Sequence, residues 1–313
     1  TYFYEAPITA TDKVVSGEYD ATFFVSAAPI SLFANLPSDA NVTLIPATIP
    51  GYTTEYNIGT IPASSYPWLD EDVENTLTVW SMLAIGPSVD RSKLGDFLDN
   101  IYANKDRYAT QYHAKWSELD KANTVSILKT TPTNGWGTEA THYYGDAEMP
   151  TDEPQPFFCS SVDLEATLGP GNQTNYTKAI SDLLPIVEST LGLSLTELNT
   201  AGSIDNLTKL YNGECAMALI QDDVGGYGAA IDATTPEISD AMQKIQYVRA
   251  VMPLFATQGQ LIVNENSGIN SSLDLAGKKF NMSPKTSGSY MTASTVLLIN
   301  GLSEADVIPS YDL

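Results

Sequence analysis

The chain has 313 residues, with 15 Lys and Arg against 38 Asp and Glu and a formal net charge of −23 at pH 7. That length allows two lobes with real cores, and that charge argues against nucleic acid, which demands a basic face. No apolar run approaches the roughly 20 residues of a membrane-spanning helix, and the acidity reads as a solubilising surface.

In chain order, residues 1–7 are aromatic and extended in character, and 8–16 spell a short helix. Gly17 and Glu18 then turn the chain into a run at 19–24. Strands are predicted at 42–46 and at 77–85, the second an apolar run containing Thr and Val. Residues 93–119 give the longest helical pattern, with Leu94, Phe97, Leu98, Ile101, Tyr102 and Tyr108 at helical spacing. His113 and Trp116 continue it, His113 as a packed or half-exposed residue rather than a ligand. Residues 150–156 hold three prolines and two acids in seven positions and read as a linker. A helix follows over 179–188, with Pro185 inside it, then a strand at 195–199. Strands at 248–255 and 260–263 and a helix at 291–300 complete the pattern.

The chain is organised around residues 200–223, TAGSIDNLTKLYNGECAMALIQDD. Ser203 is predicted to cap a helix whose first turn carries Asp205. Leu207, Leu210 and Tyr211 form one apolar stripe, and Asn212-Gly213 stops the helix. Residues 216–220 then read as a strand buried on both faces, with Gln221 and Asp222 at its end. In open α/β sheets the ligand crevice lies at the carboxyl ends of strands and the amino ends of helices. This unit is therefore half of a predicted pocket.

The same residues resemble the first lobe of the TAXI-type solute receptors of TRAP transporters, with a Gly-Ser-x-x-Asn-Leu helix, a Gly-acidic turn and an apolar strand ending in a Gln-x-Asp pattern. A second block strengthens the resemblance: Ser267-Gly268-Ile269, then Leu273-Asp274-Leu275-Ala276-Gly277-Lys278-Lys279, then Ser287-Gly288-Ser289. Residues 61–67 are similar to the family's "iP-x-gtYpG" loop, and 132–149 resemble part of its C-terminal tail, without the tail's first histidine.

The resemblance implies an α/β, two-lobed periplasmic-binding-protein-like (type II) fold, circularly permuted, because the family's second part comes first here. On that reading residues 1–75 are the first part of lobe two, and 76–149 a return segment with the C-terminal part of lobe one. After the 150–156 linker, 157–265 form the main part of lobe one and 266–313 the remainder of lobe two. Joining Leu313 to Thr1 restores an uninterrupted family segment, so a permuted monomer, a piece of a tandem array and a subunit sharing elements with its neighbours all fit. Thr1 opens the chain without a Met or a signal peptide, which suggests a mature product or a fragment.

The family pattern nominates a ligand pocket between the lobes. Its residues would be Thr167 and Tyr176 from the first loop, Ser203 and Gln221 from the organising unit, Ser287 and Ser289, with Ala28 and Tyr66 from the other side. Lys285 is the nearest charge to this set. For each serine helix capping competes with ligand contact, and for Tyr66 packing does. In the implied fold Cys159 and Cys215 lie on neighbouring strands, which leaves a disulfide and two buried thiols both open.

No Gly-x-Ser-x-Gly elbow, P-loop or His-Glu-x-x-His occurs, and the two cysteines and two histidines are too few and too dispersed for a zinc site. Asp222-Asp223 alone does not make a metal site. The expectation is no enzyme, no cofactor and no metal. The expected function is extracytoplasmic capture of a small carboxylate for TRAP-type membrane subunits, by closure of two lobes. The alternative is the same fold as a structural subunit of a cell-surface filament, array or layer, pairing with other copies of itself through its split lobe. Six Asn-x-Ser/Thr sequons, at Asn41, Asn172, Asn175, Asn206, Asn270 and Asn281, give a weak hint of a surface address.

Overall fold

The computed structural model describes residues 7–48, 57–86, 89–111, 114–121, 124, 156–161, 173–226 and 248–312. Its helices are α1 (Pro7–Ser16), α2 (Ser31–Ala34), α3 (Leu94–Gln111), α4 (Asn175–Leu191), α5 (Ser203–Tyr211), α6 (Asp222–Gly226) and α7 (Gly288–Ile299). Its strands are β1 (Ala21–Ser26), β2 (Val42–Ile45), β3 (Asn57–Ile61), β4 (Val73–Ile85), β5 (Phe157–Cys159), β6 (Thr196–Leu198), β7 (Met217–Gln221), β8 (Arg249–Asn264), β9 (Lys279–Asn281) and β10 (Ile308–Ser310). The fold is mixed α/β and divides into two compact units. Unit 1 takes its described residues from Thr1–Val79, Leu164–Thr174 and Ala256–Leu313, and unit 2 from Trp80–Asp163 and Asn175–Phe255.

In unit 1 the strand order is β10-β9-β1-β8-β4, with β2 also on β8 and β3 on β4. β10, β9 and β1 run parallel, and β1 is antiparallel to β8, with Ala21 opposite Val263. α7 packs on β1 and buries Tyr290, Met291, Ala293, Val296 and Leu297. β8 is one continuous strand of 16 residues, where the sequence suggested two. The suggested break fell near Gly259, but that glycine sits under a ring: a Cβ there would lie 2.8 Å from Phe23 Cζ. It is a site of close approach and not a turn.

In unit 2 the order is β4-β7-β5-β6, with β7 antiparallel to β4 and parallel to β5. All five residues of β7 are buried, as an apolar strand covered on both faces requires. α5 lays Ile204, Leu207 and Leu210 into the core against β7, and its end is marked by Gly213 at φ +73°. α4 accommodates Pro185 while burying Ile180, Leu183, Ile186 and Val187. Within the long helical pattern α3 covers Leu94–Gln111 and a 3-10 turn covers Ala114–Glu118.

Ser203 does not cap α5. The cap position is Gly202, at φ 122° and ψ −159°, and no side chain caps it. The Ser203 hydroxyl instead accepts the Gln221 N–H at 3.1 Å, which ties the start of the helix to the end of β7. Two of the sequon asparagines, Asn206 and Asn281, are fully buried and hydrogen-bonded inside the fold, whereas Asn270 is exposed.

Candidate functional site

In unit 2 the candidate residues gather where β7 ends. Gln221 is 3% exposed, and its backbone N–H is held by Ser203. Asn206, one turn into α5, donates to the Ser160 carbonyl at 2.6 Å and the Leu219 carbonyl at 2.8 Å, and accepts from the Thr200 hydroxyl at 2.6 Å. It fastens helix, strand and loop into one corner. Asp222 follows at the start of α6 and accepts the Trp80 N–H at 2.9 Å. Burial, then the charge of Asp223, pushes its carboxyl well above the usual range, against the pull of the Trp80 N–H.

Tyr176 stands in the first turn of α4, and its ring meets Phe255 edge-on at 5.8 Å. Beside it Trp116 Nε1 donates to Asp182 Oδ2 at 2.8 Å, and Asn175, Ala179 and Leu254 complete a small cleft with Phe255. The structure therefore joins Ser203 to Gln221 and sets Tyr176 against Phe255. Thr167 lies outside the described residues, as do His113, His142 and residues 132–149. Cys159, the last residue of β5, and Cys215 are joined by a disulfide with Cα atoms 5.9 Å apart.

In unit 1 the candidates surround the carboxyl end of β1. Ser289 Oγ accepts the Val25 N–H at 3.0 Å, and Ser287 caps α7 by accepting the Tyr290 N–H at 3.1 Å. Ala28, ahead of a cis bond to Pro29, donates its N–H to Gln258 Oε1 at 3.3 Å. The Tyr66 hydroxyl accepts the Ile30 N–H at 3.2 Å and donates to Gln260, whose amide donates to the Ser26 carbonyl at 3.0 Å. Tyr66 stacks on Trp68 at 5.2 Å, and burial pushes its hydroxyl pKa up. The residue thus braces the 26–30 loop. Lys285, the nearest charge in the sequence pattern, is committed to Glu304 at 3.4 Å and lies 4.5 Å over the Tyr311 ring.

Sequence reasoning missed Gln258, Gln260 and the bracing role of Asn206. The two glutamines carried no local signal. Among the described residues no group of three or more His, Cys, Asp or Glu could hold a metal ion. Among the same residues no helix is long and apolar enough to cross a membrane.

Residues 173–313 match the NMT1-like family, a periplasmic-binding-protein-like family, and this stretch contains Tyr176, Ser203, Gln221, Ser287 and Ser289. The match covers under half of the chain. The mixed α/β architecture is of the same periplasmic-binding-protein-like class. A solved structure described as a periplasmic EDTA-binding protein, EppA, is similar at 13% identity and a TM-score of 0.27. That alignment covers 92% of this chain and only 56% of the EppA chain, and it bears on neither the fold nor the ligand.

Proposed function

We propose that this protein is a non-catalytic, extracytoplasmic solute receptor of the TAXI type, with the family order permuted. It captures a small organic anion and delivers it to TRAP-type membrane subunits. The observation that carries the reading is the Ser203–Gln221 hydrogen bond of 3.1 Å, which seats the start of α5 at the carboxyl end of β7 inside the stretch that matches the NMT1-like family. Strand ends of this kind, faced by helix amino ends, receive anionic ligands through backbone N–H groups. Such recognition suits a chain with 15 Lys and Arg in 313 residues. The NMT1-like match supports solute binding in general, and the resemblance in the two sequence blocks supports the narrower reading.

The alternative, a structural subunit whose terminal segments pair with other copies, is less favoured by the internal pairing of β10 on β9, with Pro309 opposite Phe280. Melting curves against a panel of small organic acids, with light scattering for mass, test the two readings together. The receptor reading expects the mass of one chain and a midpoint raised by some of the acids. Large assemblies indifferent to every acid would contradict it.

A further inference from the structure

Ser81 on β4 stands directly opposite Gln221 on β7, so their side chains project to one face of the pair. Ser81 is 0% exposed and Gln221 is 3% exposed. Ser81 Oγ and Gln221 Oε1 are both buried, and neither has a hydrogen-bond partner among the described residues. A buried polar atom without a partner destabilises a fold, and native structures keep few of them. Two that face each other across one strand pair mark a place where a group from outside the chain completes the bonding.

We propose that Ser81 and Gln221 form the hydrogen-bonding floor of the solute site in unit 2 and select a small organic acid that carries a hydroxyl or amino donor over one that lacks it. The inference rests on the receptor reading and adds to it a specificity residue and a ligand class. A carboxamide oxygen only accepts, and a serine hydroxyl can accept or donate, so the pair matches a ligand O–H or N–H. A methylene in the same place would leave both atoms unpaired in desolvated surroundings, which is how a polar site rejects an analogue lacking the donor.

The test is calorimetric titration of wild type and Ser81→Ala with matched acids: malate and succinate, aspartate and succinate, lactate and propionate. Wild type should prefer the donor-bearing member of at least one pair by about tenfold or more, and Ser81→Ala should shrink that ratio by about five- to tenfold. The melting midpoint of the ligand-free variant should stay level or rise, because the removed hydroxyl has no partner to lose. A lowered midpoint, an unchanged ratio or equal binding of both members overturns the inference and leaves the receptor reading standing. An unchanged ratio is also what a buried water between the two side chains would give. Failure of wild type to bind any of these acids overturns both.

Discussion

The Tyr19 hydroxyl donates to the Asp312 carboxylate at 2.6 Å across 293 residues of sequence. Lys13 of α1 lies 3.8 Å from the same carboxylate, with its ammonium 4.9 Å from the centre of the Tyr19 ring. The Met282 N–H meets the Ser310 carbonyl at 2.9 Å, so the first and last described segments close unit 1 within one chain. Asp312→Ala removes the carboxylate that accepts from the part-buried Tyr19 hydroxyl and lies beside Lys13, whose ammonium keeps its bond to the Tyr19 hydroxyl at 3.2 Å. It should cost about 1–3 kcal/mol in urea unfolding, with Asp312→Asn milder because it keeps an acceptor. Unchanged stability in Asp312→Ala would show that this contact does not hold the two ends together.

Asn206 makes three hydrogen bonds while fully buried. Asn206→Ala removes these three bonds in the corner between α5 and β7, leaves the Thr200 hydroxyl its bond to the Ser160 carbonyl at 3.3 Å, and should destabilise by about 2–4 kcal/mol. Chemical denaturation measures this. A loss under 1 kcal/mol would mean that the corner re-satisfies itself.

Asp222 carries a definite pH signature. Its folded-state pKa is raised by burial and by Asp223, while an unfolded aspartate titrates at about 3.9. The native state therefore binds the proton more tightly, so this group's contribution is most favourable at low pH. It is lost as pH rises from the unfolded value through the folded one. Asp222→Asn keeps an acceptor for the Trp80 N–H without the buried charge. The stability difference, variant minus wild type, should grow as pH rises across that window and then level off. A difference that shrinks with rising pH would show that the carboxylate is stabilised by its surroundings.

The disulfide closes a separation of 56 residues. In the chain-entropy account such a loop contributes about 4 kcal/mol. Cys159→Ser with Cys215→Ser should lower the stability of unit 2 by an amount of that order, read as a fall in the urea midpoint. No change on reduction or in the double variant would contradict the pairing.

Much of the fold was legible because it depends on apolar periodicity. The run ending at Gln221 reads as a doubly covered strand, and β7 is one; the spacing of Leu207 and Leu210 reads as a helix face, and α5 uses it so. What misled the reading was chemistry decided by distant partners. Residues 256–259 read as a gap between two strands, yet they lie within β8, where the missing side chain of Gly259 makes room for the Phe23 ring. Ser203 sits where a cap belongs, yet its hydroxyl is claimed by a strand 18 residues away. Tyr66 was nominated beside ligand residues, and its hydroxyl is occupied by Ile30 and Gln260. Ser81 drew no notice because its significance lies in the register that sets it against Gln221.

The most direct measurement is native mass spectrometry of the purified chain, alone and after incubation with pooled small organic acids. The account predicts a single-chain species that takes up one acid per chain. A chain that takes up none, or that appears only as large assemblies, would contradict it.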